Sequence, residues 1–244
     1  AFHMSRFDYI SVRESDGVDI CKNTFGVNAE RTIDPVFLCD EKVYRRLAKG
    51  SEKKANKKYI FSYILSPSKE KRNMIKKIVK ALGLDCVLVL DAQENHEKNK
   101  KIIDLPEYLQ ENLEIEDWLY YISNSELVLT DSYHGLCFSL IFRKKFVCIG
   151  NVARGISRFN TLLNITGLQN WMVLEADKAV KSKLYLQEIN YEDVWERLNK
   201  EIDRSKNWLI SALTSPKIYK SSVYDLLINK IRKLENEIKE LKGE

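Results

Sequence analysis

The sequence predicts an α/β fold: a Rossmann-like parallel sheet with flanking helices, followed by an amphipathic helix at the C-terminus. Apolar runs of strand length at 59–65, 86–91, 127–130 and 146–149 are separated by amphipathic segments, and this alternation is typical of a parallel sheet. The runs are apolar almost throughout, as strands covered on both faces should be. With 244 residues, 44% of them hydrophobic and 31% charged, the chain is long enough for a sizeable core.

The first quarter of the chain is predicted to hold short elements. Residues 7–12 have a strand pattern, and residues 16–25 have the pattern of a short amphipathic helix. An extended stretch over 29–33 precedes the turn at Asp34-Pro35. The stretch 43–58 is polar and basic, and it predicts a short helix followed by a loop.

The rest of the chain alternates between strands and helices. The segment 68–82 predicts a helix that ends at Gly83, and Asn190 is a suitable N-cap for a long helix over 191–213. The short apolar run Ile102–Leu105 predicts a strand or an extended segment. The same reasoning predicts further helices at 116–123, 134–142 and 158–165, and a last strand at 171–174.

Composition and element order divide the chain into four segments. Residues 1–4 read as an added tag and are left out of the fold prediction. Residues 5–58 are expected to be the end of a preceding domain that is missing here, together with a basic linker. Residues 59–215 are expected to form the Rossmann-like domain, and residues 216–244 an amphipathic helical tail.

The tail has the apolar spacing of a coiled coil. Its apolar residues recur at alternating steps of three and four, which places them along one seam of a helix. Two interpretations fit this pattern: self-association through residues 221–244, or packing of the helix on its own domain. The seam consists of Tyr224, Leu227, Ile231, Leu234, Ile238 and Leu241.

Charge and composition exclude several classes of function. The net charge is +5, but residues 41–58 hold eight basic and two acidic side chains, a local charge of 8 − 2 = +6. This stretch is either an ordinary solvated surface or a region that attracts anions. It lacks interleaved stacking aromatics, so nucleic acid is not an expected partner. No apolar run approaches a membrane span, and the expected location is the cytoplasm or the inner face of the membrane.

The five cysteines do not form a recognisable framework. Their number is odd, no C-x-x-C motif occurs, and Cys86, Cys137 and Cys148 lie inside apolar runs. A reduced thiol in such a run behaves as a small hydrophobic side chain. The sequence therefore predicts neither disulfides nor a metal site.

The segment 127–142 has the strongest signal for chemistry. A strand is predicted to end at Thr130-Asp131, and a helix follows the turn that contains Ser132, His134 and Gly135. In parallel α/β sheets ligands bind beyond the carboxyl ends of the strands, where a helix N-terminus attracts anions. Ser132 or Asp131 is suited to cap the helix, and Gly135 is suited to allow close approach of a ligand to the backbone. His134 is placed where a proton-transfer group would act, or it is a structural histidine bonded to a loop carbonyl.

Arginines follow two other predicted strands. Arg13 comes directly after the strand at 7–12, and Asn151, Arg154 and Arg158 follow the strand at 146–149. Guanidinium groups bind phosphate and carboxylate in a bidentate manner, so these residues are candidate anion ligands. The alternative for each of them is an ordinary surface residue.

Four stretches together resemble the polysaccharide pyruvyl transferase family: FDYISVRESDGVDI at 7–20, IDPVFLCD at 33–40, TDSYHGLCFSLIF at 130–142 and NVARGISRFNTLLNITGL at 151–168. The order of these motifs makes the resemblance more specific than any one of them. Family members are longer and carry a whole α/β domain before the S-V-R-E strand, so this chain is expected to be inactive without that domain.

The resemblance implies a transferase. It implies transfer of a pyruvyl group from phosphoenolpyruvate to a sugar of a surface polysaccharide or its precursor, with a ketal formed and phosphate released. The implied acceptor is a saccharide, free or lipid-linked, and no metal or organic cofactor is implied. The implied architecture is one half of a glycosyltransferase-B-like pair of domains. The alternatives are a nucleotide-sugar glycosyltransferase half-domain and a non-catalytic oligomerising module.

The resemblance also assigns roles to residues. It makes His134 the catalytic acid and base, and it makes Arg13 and Arg158 ligands of the donor's anionic groups. Apart from the resemblance, Ser132 is expected to give the donor a neutral hydrogen bond, and Gly135, Asn151 and Arg154 are expected to belong to the same donor site.

Overall fold

The computed structural model describes residues 4–53, 55, 57–91, 95–152, 155–215 and 223–242, so Arg154 of the predicted donor site lies outside the described residues. The contacts between its residues divide the chain into two compact units. One unit comprises residues 33–203, and the other comprises residues 1–32 together with 204–244. Residues 33–58, which the sequence assigned to a linker and a preceding domain, belong to the same unit as the sheet.

The unit 33–203 is built on a five-stranded parallel sheet, as predicted from the alternating apolar runs. Its strands are β3 (Tyr59–Ile64), β4 (Asp85–Leu90), β5 (Leu127–Thr130), β6 (Lys145–Ile149) and β7 (Met172–Val173). They lie in the order β4-β3-β5-β6-β7, and every neighbouring pair is parallel.

Successive strand residues point to opposite sides of the sheet, and both sets are apolar here. Helices therefore cover both faces. Phe61 and Val128 of the strands face one helical layer, and Ile60 and Leu129 face the other. The first layer contains α2 (Glu41–Lys49), α5 (Ile115–Asn124), α6 (Tyr133–Ile141), α7 (Ile156–Thr166) and the start of α9 (Tyr191–Thr214). The second contains α3 (Lys69–Leu82), α4 (His96–Ile103) and α8 (Ala176–Lys181).

Helix boundaries follow the local signals in the sequence. The Ser68 side chain accepts a hydrogen bond from Lys71 N–H and caps α3, which ends at Gly83 in the left-handed conformation (φ 63°). The strand predicted at Ile102–Leu105 was wrong, because the first two of these residues are the last two of α4 and the other two follow the helix. Ile103 and Leu105 are buried beneath α3, and a run of four residues does not distinguish a helix end from a strand.

The second unit contains a two-stranded parallel ladder between β1 (Ser11–Val12) and β2 (Glu30–Arg31), joined by α1 (Ser15–Phe25). The strand predicted over 7–12 is therefore limited to its last two residues. Arg204, in the middle of α9, ties this helix to the ladder, since it donates to the Glu30 carboxylate at 2.6 Å and to the Arg31 carbonyl at 2.7 Å. The predicted C-terminal helix is present as α10 (Val223–Lys242). Within the described ranges, every helix is too short or too polar to cross a lipid bilayer.

Candidate functional site

The topology places a crevice at the carboxyl ends of β3 and β5. These two strands are neighbours, but the chain continues from β3 outward to β4 and from β5 in the opposite direction to β6 and β7. The crevice at such a switch in strand order is where ligands bind in open α/β sheets. The predicted segment 130–135 lies at this point, directly after β5.

A buried carboxylate holds the crevice together. Asp131 is 1% exposed and accepts hydrogen bonds from Leu65 N–H at 2.6 Å and Ser66 N–H at 3.0 Å. Lys71 of α3 donates to the same carboxylate at 2.6 Å, and its side chain is 13% exposed. The end of β5 is thereby fixed to the loop that follows β3. The sequence offered Asp131 as a helix cap only, and this bracing role was missed.

Ser132 and Gly135 shape the start of α6. The Ser132 hydroxyl accepts a hydrogen bond from Gly135 N–H at 3.3 Å, so the cap predicted from the sequence is present. Both residues are buried. A side chain at Gly135 would place its Cβ 2.3 Å from the Thr130 hydroxyl oxygen. Glycine is thus required at this position because α6 contacts β5 closely. From the sequence, glycine was expected here for another reason, the close approach of a ligand.

His134 is the exposed residue of this turn. It occupies the first turn of α6, and its side chain is 51% exposed while its neighbours in the turn are buried. Its Nε2 atom lies 3.9 Å from a carboxylate oxygen of Asp34, whose side chain is 3% exposed. The sequence did not single out Asp34, although it belongs to the matching stretch IDPVFLCD. The structure therefore adds a carboxylate beside the predicted catalytic histidine.

The position of Asp34 is fixed from two sides. Its other carboxylate oxygen accepts a hydrogen bond from Val36 N–H at 3.1 Å, which caps the 3-10 turn Pro35–Leu38. The Tyr44 hydroxyl of α2 donates to the Val36 carbonyl at 2.9 Å. Burial raises the pKa of Tyr44 to about 12, so this phenol remains a donor at neutral pH. The carboxylate near His134 is consequently held by capping and by packing.

Arg158 lies over the Tyr133 ring at the start of the same helix. Its guanidinium carbon is 5.4 Å from the centre of the Tyr133 ring, and Tyr133 immediately precedes His134. The Tyr133 ring also contacts the Phe159 ring at a centroid distance of 5.7 Å. Arg158 is in the first turn of α7, which Gly155 begins with a left-handed φ of 82°. The structure thus brings Arg158 to the start of α6, where it carries a fixed positive charge.

Asn151 and Arg13 are the other predicted site residues that the structure describes. Asn151 donates to the Ser66 hydroxyl at 2.8 Å and lines a separate cavity beside α3, with Lys71 and Ser68 in its wall. Arg13 lies between β1 and α1, in the other unit. Its role remains a prediction.

A second feature of the same sheet edge is an acidic cavity of about 500 Å³. Its apolar wall is formed by Tyr63 and Trp118, whose rings meet edge to face at 5.4 Å. Trp118 also packs at 5.2 Å on Phe138, which lies one helical turn after His134 in α6. The polar wall contains three carboxylates, two side-chain amides and one histidine: Asp91, Glu111, Glu114, Gln110, Asn112 and His96.

His96 belongs to the wall of this cavity. Its Nδ1 atom is 3.0 Å from the Asp91 carbonyl oxygen and its Nε2 atom is 3.0 Å from the Glu111 carboxylate. The hydrogen bond to the Asp91 carbonyl, followed by that to Glu111, raises the pKa of His96. Lys100 also binds Glu111, at 3.0 Å. Among the described residues, no group of three or more His, Cys, Asp or Glu side chains is arranged to hold a metal ion.

Structural comparison matches this chain to other solved structures. A UDP-N-acetylglucosamine 2-epimerase from Listeria monocytogenes matches 88% of this chain with a TM-score of 0.53 and 13% sequence identity. The wall teichoic acid polymerase TagF matches 95% of the chain with a TM-score of 0.42 and 16% identity. This chain spans 63% of the epimerase and 59% of the polymerase. The epimerase match shows a shared α/β fold.

Sequence comparison assigns the family. No curated protein sequence matches the chain significantly. The family model for polysaccharide pyruvyl transferase matches residues 3–152 and thereby includes Arg13, Asp34, His134 and the strands β3 to β6. Arg158 lies just beyond the matched range. Because the match covers more than half of the 244 residues, this chain belongs to the polysaccharide pyruvyl transferase family.

Proposed function

We propose that this chain takes part in the transfer of a pyruvyl group from phosphoenolpyruvate to two hydroxyl groups of a saccharide, with His134 as the acid and base. The observation that carries the proposal is the half-exposed His134 beside the buried carboxylate of Asp34, 3.9 Å away. This distance is that of an ion pair rather than a hydrogen bond, so the carboxylate acts on His134 through its charge. Family membership supplies the class of reaction, transfer to a polysaccharide.

The charges at the start of α6 suit the donor. Phosphoenolpyruvate carries a phosphate and a carboxylate, and the N-terminal end of the nine-residue helix α6 carries a positive dipole that attracts an anion. Arg158 adds a guanidinium group next to this turn. We assign the donor's anionic groups to these two features. Buried Ser132 and Gly135 contribute by building the turn rather than by offering side chains.

The reaction needs one proton donor and two proton acceptors. The methylene carbon of phosphoenolpyruvate gains a proton and becomes the methyl group, while the central carbon takes the first sugar oxygen. The bond between this carbon and the phosphate oxygen then breaks, and the second sugar oxygen completes the ketal. The two hydroxyl protons balance the proton on the methyl group and the one carried away by phosphate. A histidine that alternates between its two protonation states provides both functions.

The acidic cavity suits the acceptor better than the donor. Three carboxylates in its wall repel the phosphate and carboxylate of phosphoenolpyruvate, whereas they accept hydrogen bonds from sugar hydroxyls. The Tyr63 and Trp118 rings supply an apolar surface of the kind that lines small-molecule sites. We therefore assign a saccharide, free or lipid-linked, to this cavity. The assignment requires no metal and no organic cofactor.

A comparison of two donors tests this function. Phosphoenolpyruvate with a labelled carbon skeleton, or a UDP-sugar with a labelled sugar, is incubated with the saccharide fraction of the cells that make the protein. We expect label from phosphoenolpyruvate to enter the saccharide, together with an equal amount of released phosphate, and to leave as pyruvate after mild acid. Transfer from the UDP-sugar alone would contradict the proposal and favour a glycosyltransferase.

A further inference from the structure

The helix α10 presents a stripe of apolar side chains that are exposed within the described part of the chain. The stripe residues lie at alternating steps of three and four along the helix, so they share one face. In proteins most of the stability of a helix such as this one, with 20 residues, comes from packing of its amphipathic face. Their exposed fractions range from 48% to 88%: Leu227, Ile231, Leu234, Ile238 and Leu241.

The identity of the stripe residues specifies a type of partner. With the repeat written as abcdefg, Ile231 and Ile238 occupy position a, and Leu227, Leu234 and Leu241 occupy position d. A β-branched residue at a with leucine at d favours two parallel strands over three or four. The stripe is therefore matched to a second helix with the same pattern.

The flanking charges agree with the parallel arrangement. Lys230 occupies position g and Glu235 occupies position e of the next heptad, and both are exposed. In a parallel coiled coil in register, position g of one helix faces position e of the following heptad in its partner, so Lys230 meets Glu235 of the second copy. The two-fold symmetry of such a pair makes this contact twice.

One residue of α10 outside the stripe contacts the N-terminal segment of the same unit. Asp225, at position b, has a carboxylate oxygen 4.0 Å from the Arg6 side chain of the N-terminal segment. Position b lies outside the a/d seam, so this contact leaves the stripe free for a second helix. We propose that α10 joins two copies of this chain as a parallel, in-register, two-stranded coiled coil.

Exchange of the flanking charges tests the pairing. Sedimentation equilibrium of the whole chain is expected to show a monomer–dimer equilibrium in the micromolar range. Lys230→Glu turns both attractive contacts into repulsive ones and should weaken the dimer about tenfold. The double variant with Glu235→Lys should restore it. Lys239→Glu makes the same charge change at position b and should have little effect.

A disulfide tests the orientation. Leu241→Cys is made in a Cys39→Ser background, because Cys39 is the exposed thiol among the five cysteines, all of which are described. Position 241 lies near the end of α10, so two copies of it meet in a parallel dimer and are a helix length apart in an antiparallel one. We expect rapid cross-linking on mild oxidation. A monomer at all concentrations, a dimer without the cross-link, or a dimer insensitive to Lys230→Glu would each overturn the proposal.

Discussion

Replacing His134 by glutamine is expected to lower pyruvyl transfer by roughly 10²–10⁴-fold, the usual contribution of a positioned acid or base. The side chain is half exposed at the start of α6, so its loss should leave the free energy of unfolding nearly unchanged. Affinity for phosphoenolpyruvate should change by about threefold or less, because the helix N-terminus and Arg158 remain. Steady-state turnover and equilibrium titration measure the two effects separately.

Two further variants make this prediction specific. Asp34→Asn keeps the hydrogen bond from Val36 N–H but removes the charge beside His134, and it should lower kcat with little change in KM for phosphoenolpyruvate. Glu126→Gln changes an exposed carboxylate that pairs with Lys58 at 3.3 Å, and it should leave both constants unchanged. Turnover of the His134 variant within about threefold of the unaltered protein would exclude acid–base catalysis by this residue.

The largest effect on stability is expected at the ion pair between Lys71 and Asp131. Removing one partner of a buried pair leaves an uncompensated charge and typically costs about 3–5 kcal/mol. Lys71→Met should therefore reduce the free energy of unfolding by roughly that amount, because Asp131 is fully buried and only 13% of the Lys71 side chain is exposed. Denaturant unfolding measures the change as a shift of the midpoint.

The same helix offers a matched control. Lys77 pairs with Asp177 at 3.4 Å, but both side chains are more than half exposed. Lys77→Met should cost less than about 1 kcal/mol, as surface ion pairs generally do. An equal loss of unfolding free energy in the two variants would contradict this prediction. It would show that the ion pair with Asp131 stabilises the protein no more than a surface ion pair does.

The sheet could be predicted because each strand is specified locally. The run Tyr59–Ile64 is apolar and partly aromatic, it is followed by the cap Ser68, and α3 ends at Gly83. These signals lie within a few residues of the element they define. The helix α4 was missed because its first half, beginning at His96, is polar, and its apolar end was mistaken for a strand.

The site was predictable only in part, because its chemistry depends on residues distant in the sequence. The strand-to-helix turn containing His134 was recognisable from its local order of residue types. The approach of Asp34 to His134, and the bracing of Leu65 and Ser66 by Asp131, join segments that only the folded sheet brings together. The burial of Ser132 likewise follows from packing of α6 on β5, which no local pattern specifies.

The central claim is that the start of α6, with Arg158, holds the anionic donor. The most direct measurement is calorimetric titration of this chain with phosphoenolpyruvate, beside Arg158→Ala and the control Arg72→Ala, which removes a surface partner of Asp104. We predict saturable binding by the unaltered chain and by Arg72→Ala, and at least about tenfold weaker binding by Arg158→Ala. Binding of equal strength in all three proteins, or no binding by the folded chain, would contradict the claim.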